Sequence, residues 1–271
     1  MSYQTDTNRH PQRVLLSKVS RASVGGVVTV DRVASALRIS PQETSIKLAG
    51  LVRRGWLTRL KRGLYYVLPL DAQDATTTAI PDPWVLAEAA FAPCYIAGWS
   101  AAEHWHLTEQ IFHSTFVVTT QKMRATSTRL LGSEFHFAHV SAKRFGHGLV
   151  KVWRGEFQVS VSTPETTIVD ALRNPEWVGG IRHLVEIIKT YREDHRDFSL
   201  VWIEAQRAKK GVIFKRLGFI LENFWPKEES LLIDRCRMAL SRGYAKLDPT
   251  IKTKGKIVRR WGLWVNANIS R

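Results

Sequence analysis

Gly98-Trp99-Ser100 follows an apolar run and precedes a helical one, the place where a hydrolase sets a nucleophilic serine on a sharp turn. The pattern lacks its second glycine, since position 102 is Ala. Ser100-Ala101-Ala102-Glu103 instead reads as a capping box, in which the serine hydroxyl accepts a backbone N–H at a helix start. His104 with His106, and His136 with His139, are the histidine pairs close enough to suggest a metal. On a helix, positions i and i+2 do not share a face, and on a strand i and i+3 point to opposite faces. No HExxH motif or cysteine cluster accompanies them. Glu134, Glu156, Glu165 and Asp170 are the carboxylates a Mg²⁺-dependent nuclease would use. Such chemistry needs carboxylates that converge on the ion, and five residues along one helix is poor spacing for Glu165 and Asp170 to share one. The expectation is no catalytic residue, no metal ligand, no cofactor and no enzymatic activity. A DNA-processing nuclease remains the alternative, with Mg²⁺-dependent cleavage as its test.

The residue types that do form a pattern are cationic. In the segment after Ser40, Leu48, Leu51 and Val52 give an inward stripe, which turns Gln42, Ser45, Ile46 and Ala49 outward and leaves Thr44 and Lys47 at the margins. Glutamine pairs bidentately with adenine, and Thr or Ile can touch a thymine methyl, so this helix is suited to the DNA major groove. Arg59, Lys61 and Arg62 sit on the turn of a short hairpin and are suited to phosphate or minor-groove contact. Arg53 and Arg54 join them as candidate contacts, with Arg9, Arg13 and Arg21 as weaker additions. A second candidate polyanion surface is Lys252, Lys254, Lys256, Arg259 and Arg260, near Trp261 and Trp264, which could stack on bases. As i and i+3 on a strand, at most one of those tryptophans faces a core. A solvated basic loop is the equal alternative for that tail.

The elements that must position the first group are legible in order. Residues 1–10 read as disordered, and a helix runs from about Gln12 to Val19 on Val14, Leu15, Leu16 and Val19. Asp31 is the expected N-cap of a helix through RVASALRI. Ser40-Pro41-Gln42-Glu43 places Ser at N-cap, Pro at N1 and Glu at N3 of the next helix, which stops at Gly55. WLTRL-KRG-LYYVL then reads as a hairpin with a three-residue turn containing Gly63. Helix, helix, tight turn, helix, hairpin is the order of a winged helix-turn-helix. Residues 71–80 read as a linker, and Asp82-Pro83 caps another helix. Strands are expected at 94–98, 114–120, 134–140, 149–153 and 156–162, a capped helix after Thr163, and amphipathic helices from about Gly180 to Tyr244.

Charge follows the same division. The chain has 271 residues with 40 Lys plus Arg and 24 Asp plus Glu, a formal +16. Residues 1–70 carry +9, 71–150 carry −2, 151–245 carry +3 and the last 26 carry +6. Two basic ends on a near-neutral middle suggest a nucleic-acid-binding module attached to something else. No apolar run reaches the roughly 18 residues of a membrane span, the N-terminus lacks a secretory h-region, and two cysteines, Cys94 and Cys236, suit a reducing cytoplasm. The fold class expected is α+β: a winged helix-turn-helix at 11–70, then a second domain at 76–271 that is strand-rich over 94–162, helical over 163–245 and a basic tail over 246–271.

Five segments in order resemble the AbiEi-type antitoxins, the transcriptional autoregulators of type IV toxin–antitoxin systems. They are LAGLVRRGWLTRLKRGLYYV in the first domain, CYIAGWSAAEHWHL at the start of the second, STPETTIVDAL, KRLGFILE, and the terminal LDPT with RRWGLWVN. The likeness runs from about residue 12 to 269. It implies a repressor that binds inverted repeats in the promoter of its own operon, as in phage abortive-infection systems. It also implies a nucleotidyltransferase toxin as functional partner, counteracted without a stable complex. A ligand-responsive regulator, with the second domain sensing a small molecule, is the other alternative.

Overall fold

The computed structural model describes residues 9–68, 82–194 and 197–269. Of residues 1–10, expected to be disordered, Arg9 and His10 instead begin the first helix, while 1–8 and the linker expected at 71–80 lie outside the described residues. Over the described residues the protein is α+β, with ten α-helices and three sheets. No helix among them is long and apolar enough to cross a membrane. The chain forms two compact units that do not follow it linearly. Unit 1 comprises the described residues of Met1–Cys94 with Ser127–Phe135 and Val152–Val159. Unit 2 comprises Tyr95–Thr126, His136–Lys151 and the described residues of Ser160–Arg271.

Unit 1 begins with α1 (Arg9–Arg21), β1 (Val27–Thr29), α2 (Val30–Leu37), α3 (Pro41–Arg53), β2 (Leu57–Lys61) and β3 (Leu64–Val67). The strands form one antiparallel sheet, ordered β1-β3-β2. The cap of α2 differs from the sequence expectation. Thr29, whose hydroxyl accepts the Arg32 N–H at 3.3 Å, holds the N-cap position, and Asp31 lies in the first turn. The cause is β1: its pairing with β3 carries extended backbone through Thr29, and the helix starts at the next residue. Arg38 ends α2 in the left-handed region (φ 56°), and Ser40 caps α3 by accepting the Glu43 N–H at 3.1 Å. Thus one residue, Ile39, separates the caps. Val19, Val33, Leu48, Leu51, Leu57 and Tyr65 form the core beneath, all buried. Burying each leucine side chain contributes about 1.5–3 kcal/mol, which exceeds any local helix propensity here.

Helix α4 (Pro83–Phe91) closes the first stretch of unit 1. The Asp82 carboxylate accepts the Trp84 N–H at 2.8 Å, as a capping Asp before an N1 proline should. The other Asp82 oxygen accepts from Arg154 Nε at 3.0 Å, and the Arg154 guanidinium lies 4.4 Å from the Trp84 ring centroid. Phe91 meets Phe135 edge-on at 5.3 Å. Residues from the later stretches thereby complete the packing of α4.

The larger sheet has six strands, β4 (Cys94–Ile96), β5 (Ser114–Thr119), β6 (Ser127–Leu130), β7 (Ser133–His139), β8 (Leu149–Arg154) and β9 (Phe157–Ser162), in the order β6-β7-β5-β4-β9-β8. Strands β4 and β9 run parallel. Between β4 and β5 lies α5 (Gly98–His104). Ser100 is not its N-cap: the helix starts at Gly98 after Ala97, and no side chain caps it. The Ser100 hydroxyl, buried, accepts the Phe116 N–H at 2.9 Å and so ties α5 to β5.

Unit 2 continues through α6 (Pro164–Arg173), α7 (Ile181–Glu193), α8 (Phe198–Ala208), α9 (Gly211–Phe224) and α10 (Ser230–Met238). Thr163 caps α6 as expected, accepting the Thr166 N–H at 3.2 Å. Helix α9 is the hub, buried on nearly every face. Its Arg216 reaches three carbonyls, those of Leu172 (2.7 Å), Arg173 (2.9 Å) and Lys246 (2.8 Å), and burial lowers its pKa to about 10. Residues 245–265, expected as a basic tail with one terminal strand, fold into a small sheet. Its strands are β10 (Ala245–Lys246), β11 (Lys256–Val258) and β12 (Leu263–Val265), ordered β10-β12-β11. Trp261, fully buried on a short 3₁₀ turn, packs where α9 carries Gly218; a Cβ there would lie 2.2 Å from the indole.

Candidate nucleic-acid interface

Helix α3 shows which of the expected contact residues have surface to offer. Its inward row is Thr44, Leu48 and Leu51, all fully buried. Thr44 therefore departs from the expectation of a base contact. It continues the i, i+4, i+7 stripe, and its hydroxyl donates to the Ser40 carbonyl at 2.9 Å, so no polar or methyl surface is left for a ligand. Gln42 is exposed, Ile46 is 70% exposed and Ser45 is half-buried with its hydroxyl on the Pro41 carbonyl at 2.9 Å. Lys47 is exposed but paired with Glu43 at 3.3 Å, an i, i+4 contact. A large aliphatic side chain this exposed, flanked by Gln and Ser, is the unusual feature of the helix.

The hairpin also differs in detail. Lys61 belongs to β2, pairing with Leu64, and the turn is Arg62-Gly63 with Gly63 at φ 78°. An irregularity between Arg59 and Lys61 accommodates the extra residue. Arg59 and Arg62 are exposed, with no ion pair among the described residues. Lys61, by contrast, is held: its ammonium donates to the Ala90 carbonyl at 3.2 Å and lies 4.9 Å from the Phe91 ring. Desolvation there lowers its pKa. Arg53 and Arg54 end α3 exposed, Arg54 donating to the Gly50 carbonyl at 3.4 Å.

Between α3 and the hairpin lies a concavity of about 730 Å³. Pro41, Ser45 and Ala49 form one wall, Arg59, Lys61 and Arg62 the other. Asp31 is the one carboxylate on its lining. The structure thus brings Ser45 together with Arg59, Lys61 and Arg62, while Gln42, Ile46, Lys47, Arg53 and Arg54 lie outside this lining.

The second cationic candidate divides. Arg260 is held by Glu222, with its Nε 2.8 Å from that carboxylate, which also accepts from Trp261 at 2.7 Å. Lys254 lies 5.3 Å from the Trp264 ring centroid. Lys252, Lys256 and Arg259 are exposed. Trp261 is committed to the core, so stacking on bases is open only to half-buried Trp264.

The carboxylates considered for a nuclease have separate partners. Arg129 holds Glu134 at 3.1 Å, Tyr191 donates to Glu165 at 3.0 Å, and Tyr95 lies 3.4 Å from Asp170. Glu156 sits in the turn between β8 and β9. Among the described residues no three His, Cys, Asp or Glu side chains are grouped as metal ligands would be. The sequence reading missed a group of cations around Asp170, contributed by the 141–148 segment, α6 and the end of α8. Its one visible signal was Lys209-Lys210 immediately after a predicted helix.

No family model matches the chain, and no curated protein matches it significantly. Among solved structures, it is similar to the Rv2827c protein of Mycobacterium tuberculosis. The TM-score is 0.55 at 17% sequence identity, over 93% of this chain and 89% of that one. That likeness shows a shared fold over nearly the whole length.

Proposed function

We propose that residues 11–70 form a winged helix-turn-helix that binds double-stranded DNA, and that the protein is a transcriptional autorepressor. The order α1-β1-α2-α3-β2-β3 with a single residue between the caps of α2 and α3 supports the winged-helix reading. The observation that carries the DNA reading is the combination of an exposed Gln42–Ile46 face on α3 with exposed Arg59 and Arg62 on the hairpin, which have no ion pair among the described residues. In this reading α3 enters the major groove, Ile46 meets a thymine methyl, and the arginines take phosphates.

The resemblance to AbiEi-type antitoxins supports the wider reading: an operator in the protein's own promoter, and counteraction of a nucleotidyltransferase toxin without a stable complex. Rescue of growth on co-expression with a neighbouring nucleotidyltransferase is its test. The DNA half is tested by fluorescence anisotropy on promoter DNA across a salt series. Each lost phosphate contact should lower the slope of log K against log salt by about 1, so Arg59→Ala with Arg62→Ala should lower it by about 2. An unchanged slope would remove the hairpin from the interface.

A further inference from the structure

Unit 2 contains a cavity of about 660 Å³, within the roughly 300–1,000 Å³ range of small-molecule sites. Its lining has two chemically distinct parts. Tyr95, Val140 and Val169 give an apolar wall, all buried, and Asp170 opens onto the cavity beside them with the Tyr95 hydroxyl 3.4 Å from its carboxylate. Lys143 and Arg144 from the 141–148 segment, Arg173 from the end of α6, and Lys209 and Lys210 after α8 bring cations from three separate elements. Lys143, Arg173, Lys209 and Lys210 have no ion pair among the described residues. Glu204, the other carboxylate on the lining, is already paired with Arg207.

A solvated basic face would not need this arrangement. Surface cations ordinarily spread apart, because like charges gathered around a low-dielectric concavity repel. These line a cavity with an apolar wall, onto which Asp170 opens with the Tyr95 hydroxyl as its hydrogen-bond donor and no ion pair of its own among the described residues. An inorganic anion would satisfy the cations and leave the apolar wall and Asp170 unused. A purely apolar ligand would leave the cations unused. A ligand using both parts carries several negative charges at one end, and at the other a flat, hydrogen-bonding ring.

We propose that this cavity binds a nucleotide, with the base against Tyr95, Val140 and Val169 and its polar edge on Asp170, and the phosphates held by Lys143, Arg144, Arg173, Lys209 and Lys210. The proposal does not rest on the DNA-binding reading of unit 1. It concerns different residues and is tested with variants confined to unit 2.

Isothermal titration of the full-length protein with each of the four common nucleoside triphosphates, with inorganic triphosphate and with the unphosphorylated nucleosides separates the two halves of the site. At least one nucleoside triphosphate should bind, and both the inorganic triphosphate and its nucleoside should bind about tenfold or more weakly, since each lacks one half. Lys143→Glu with Lys210→Glu, both at exposed positions, should weaken the nucleotide about tenfold or more without altering the melting temperature. Asp170→Asn should change the preference among bases and leave inorganic triphosphate binding as it was. Four results would overturn the proposal. They are no nucleotide binding below about 1 mM, inorganic triphosphate binding as tightly as the nucleotides, binding insensitive to the charge reversals, and occupancy of the site by a single-stranded oligonucleotide that nucleotides fail to displace.

Discussion

Thr44 and Ile46 stand two positions apart on α3, and their fates show how a helix sorts residues of similar chemical promise. A 100° step per residue sends Thr44 into the row of Leu48 and Leu51 and leaves Ile46 pointing out. Asp170 is sorted by the same geometry and ends beside Tyr95. Burial raises its pKa to about 7, outweighing the Tyr95 hydrogen bond and the Arg144 charge, which both lower it. The charged groups around that cavity are Lys143, Arg144 and His147 from the 141–148 segment, Arg173 from α6, and Glu204, Arg207, Lys209 and Lys210 from the α8 end. An unfolded aspartate titrates near the usual carboxylate value, so between that pH and about 7 the folded protein holds one proton more than the unfolded chain. Stability should therefore fall as pH rises through this window. In urea titrations, the stability of Asp170→Asn relative to the wild type should increase as pH rises from about 4 to about 7 and level off above that. A constant difference between the two proteins at all pH values would show that the carboxyl titrates alike in the folded and unfolded chain.

At the scale of the element, the joint between α2 and α3 is decided by a few backbone groups. Arg38 turns the chain left-handed, Ser40 receives the Glu43 N–H, and Pro41 occupies the first helical position, where its missing N–H costs nothing. Ser40→Ala should destabilise unit 1 by about 1 kcal/mol, and Ser40→Asp should restore most of that, because either oxygen can accept at the N-cap. Thermal unfolding followed by circular dichroism of the three proteins measures both. Equal stability of wild type and Ser40→Ala would mean that the cap hydrogen bond contributes nothing. Lys61 makes a related point about the hairpin. It is one residue from the tip, yet its ammonium is taken up by the Ala90 carbonyl of α4, so of the adjacent cations Lys61 and Arg62 on one concavity only Lys61 is held by the fold.

On the scale of the whole molecule, unit 1 is assembled from three stretches of chain. Phe135, fully buried, packs on Phe91, and Arg154 holds Asp82 and covers Trp84. Removing a buried phenylalanine costs about 3–5 kcal/mol. Phe135→Ala should accordingly speed amide hydrogen exchange in α4, 44 or more residues earlier in the chain. Unchanged exchange across Pro83–Phe91 would show that α4 does not depend on the later stretch.

Much of this architecture was already determined by local sequence. Ser40-Pro41 and Thr163-Pro164 mark helix starts because capping uses only neighbouring atoms, and apolar periodicity marks α7 to α10 because one face of each must be buried. The five strands read from 94–162 have the same origin in alternation and β-branched content. Tertiary structure alone decided the rest. Strand β6, SerThrArgLeu, carries no alternation strong enough to announce itself and exists because β7 pairs with it. The cap of α2 moved to Thr29 because β3 extends the backbone before it. Ser100 became a tie for β5, the 245–265 segment a sheet under which Trp261 is buried, and Asp170 the floor of a cationic cavity. Each of these depends on a partner distant in sequence. A residue's own type limits what chemistry it can do, but which groups lie within hydrogen-bond reach is set by how the chain returns on itself.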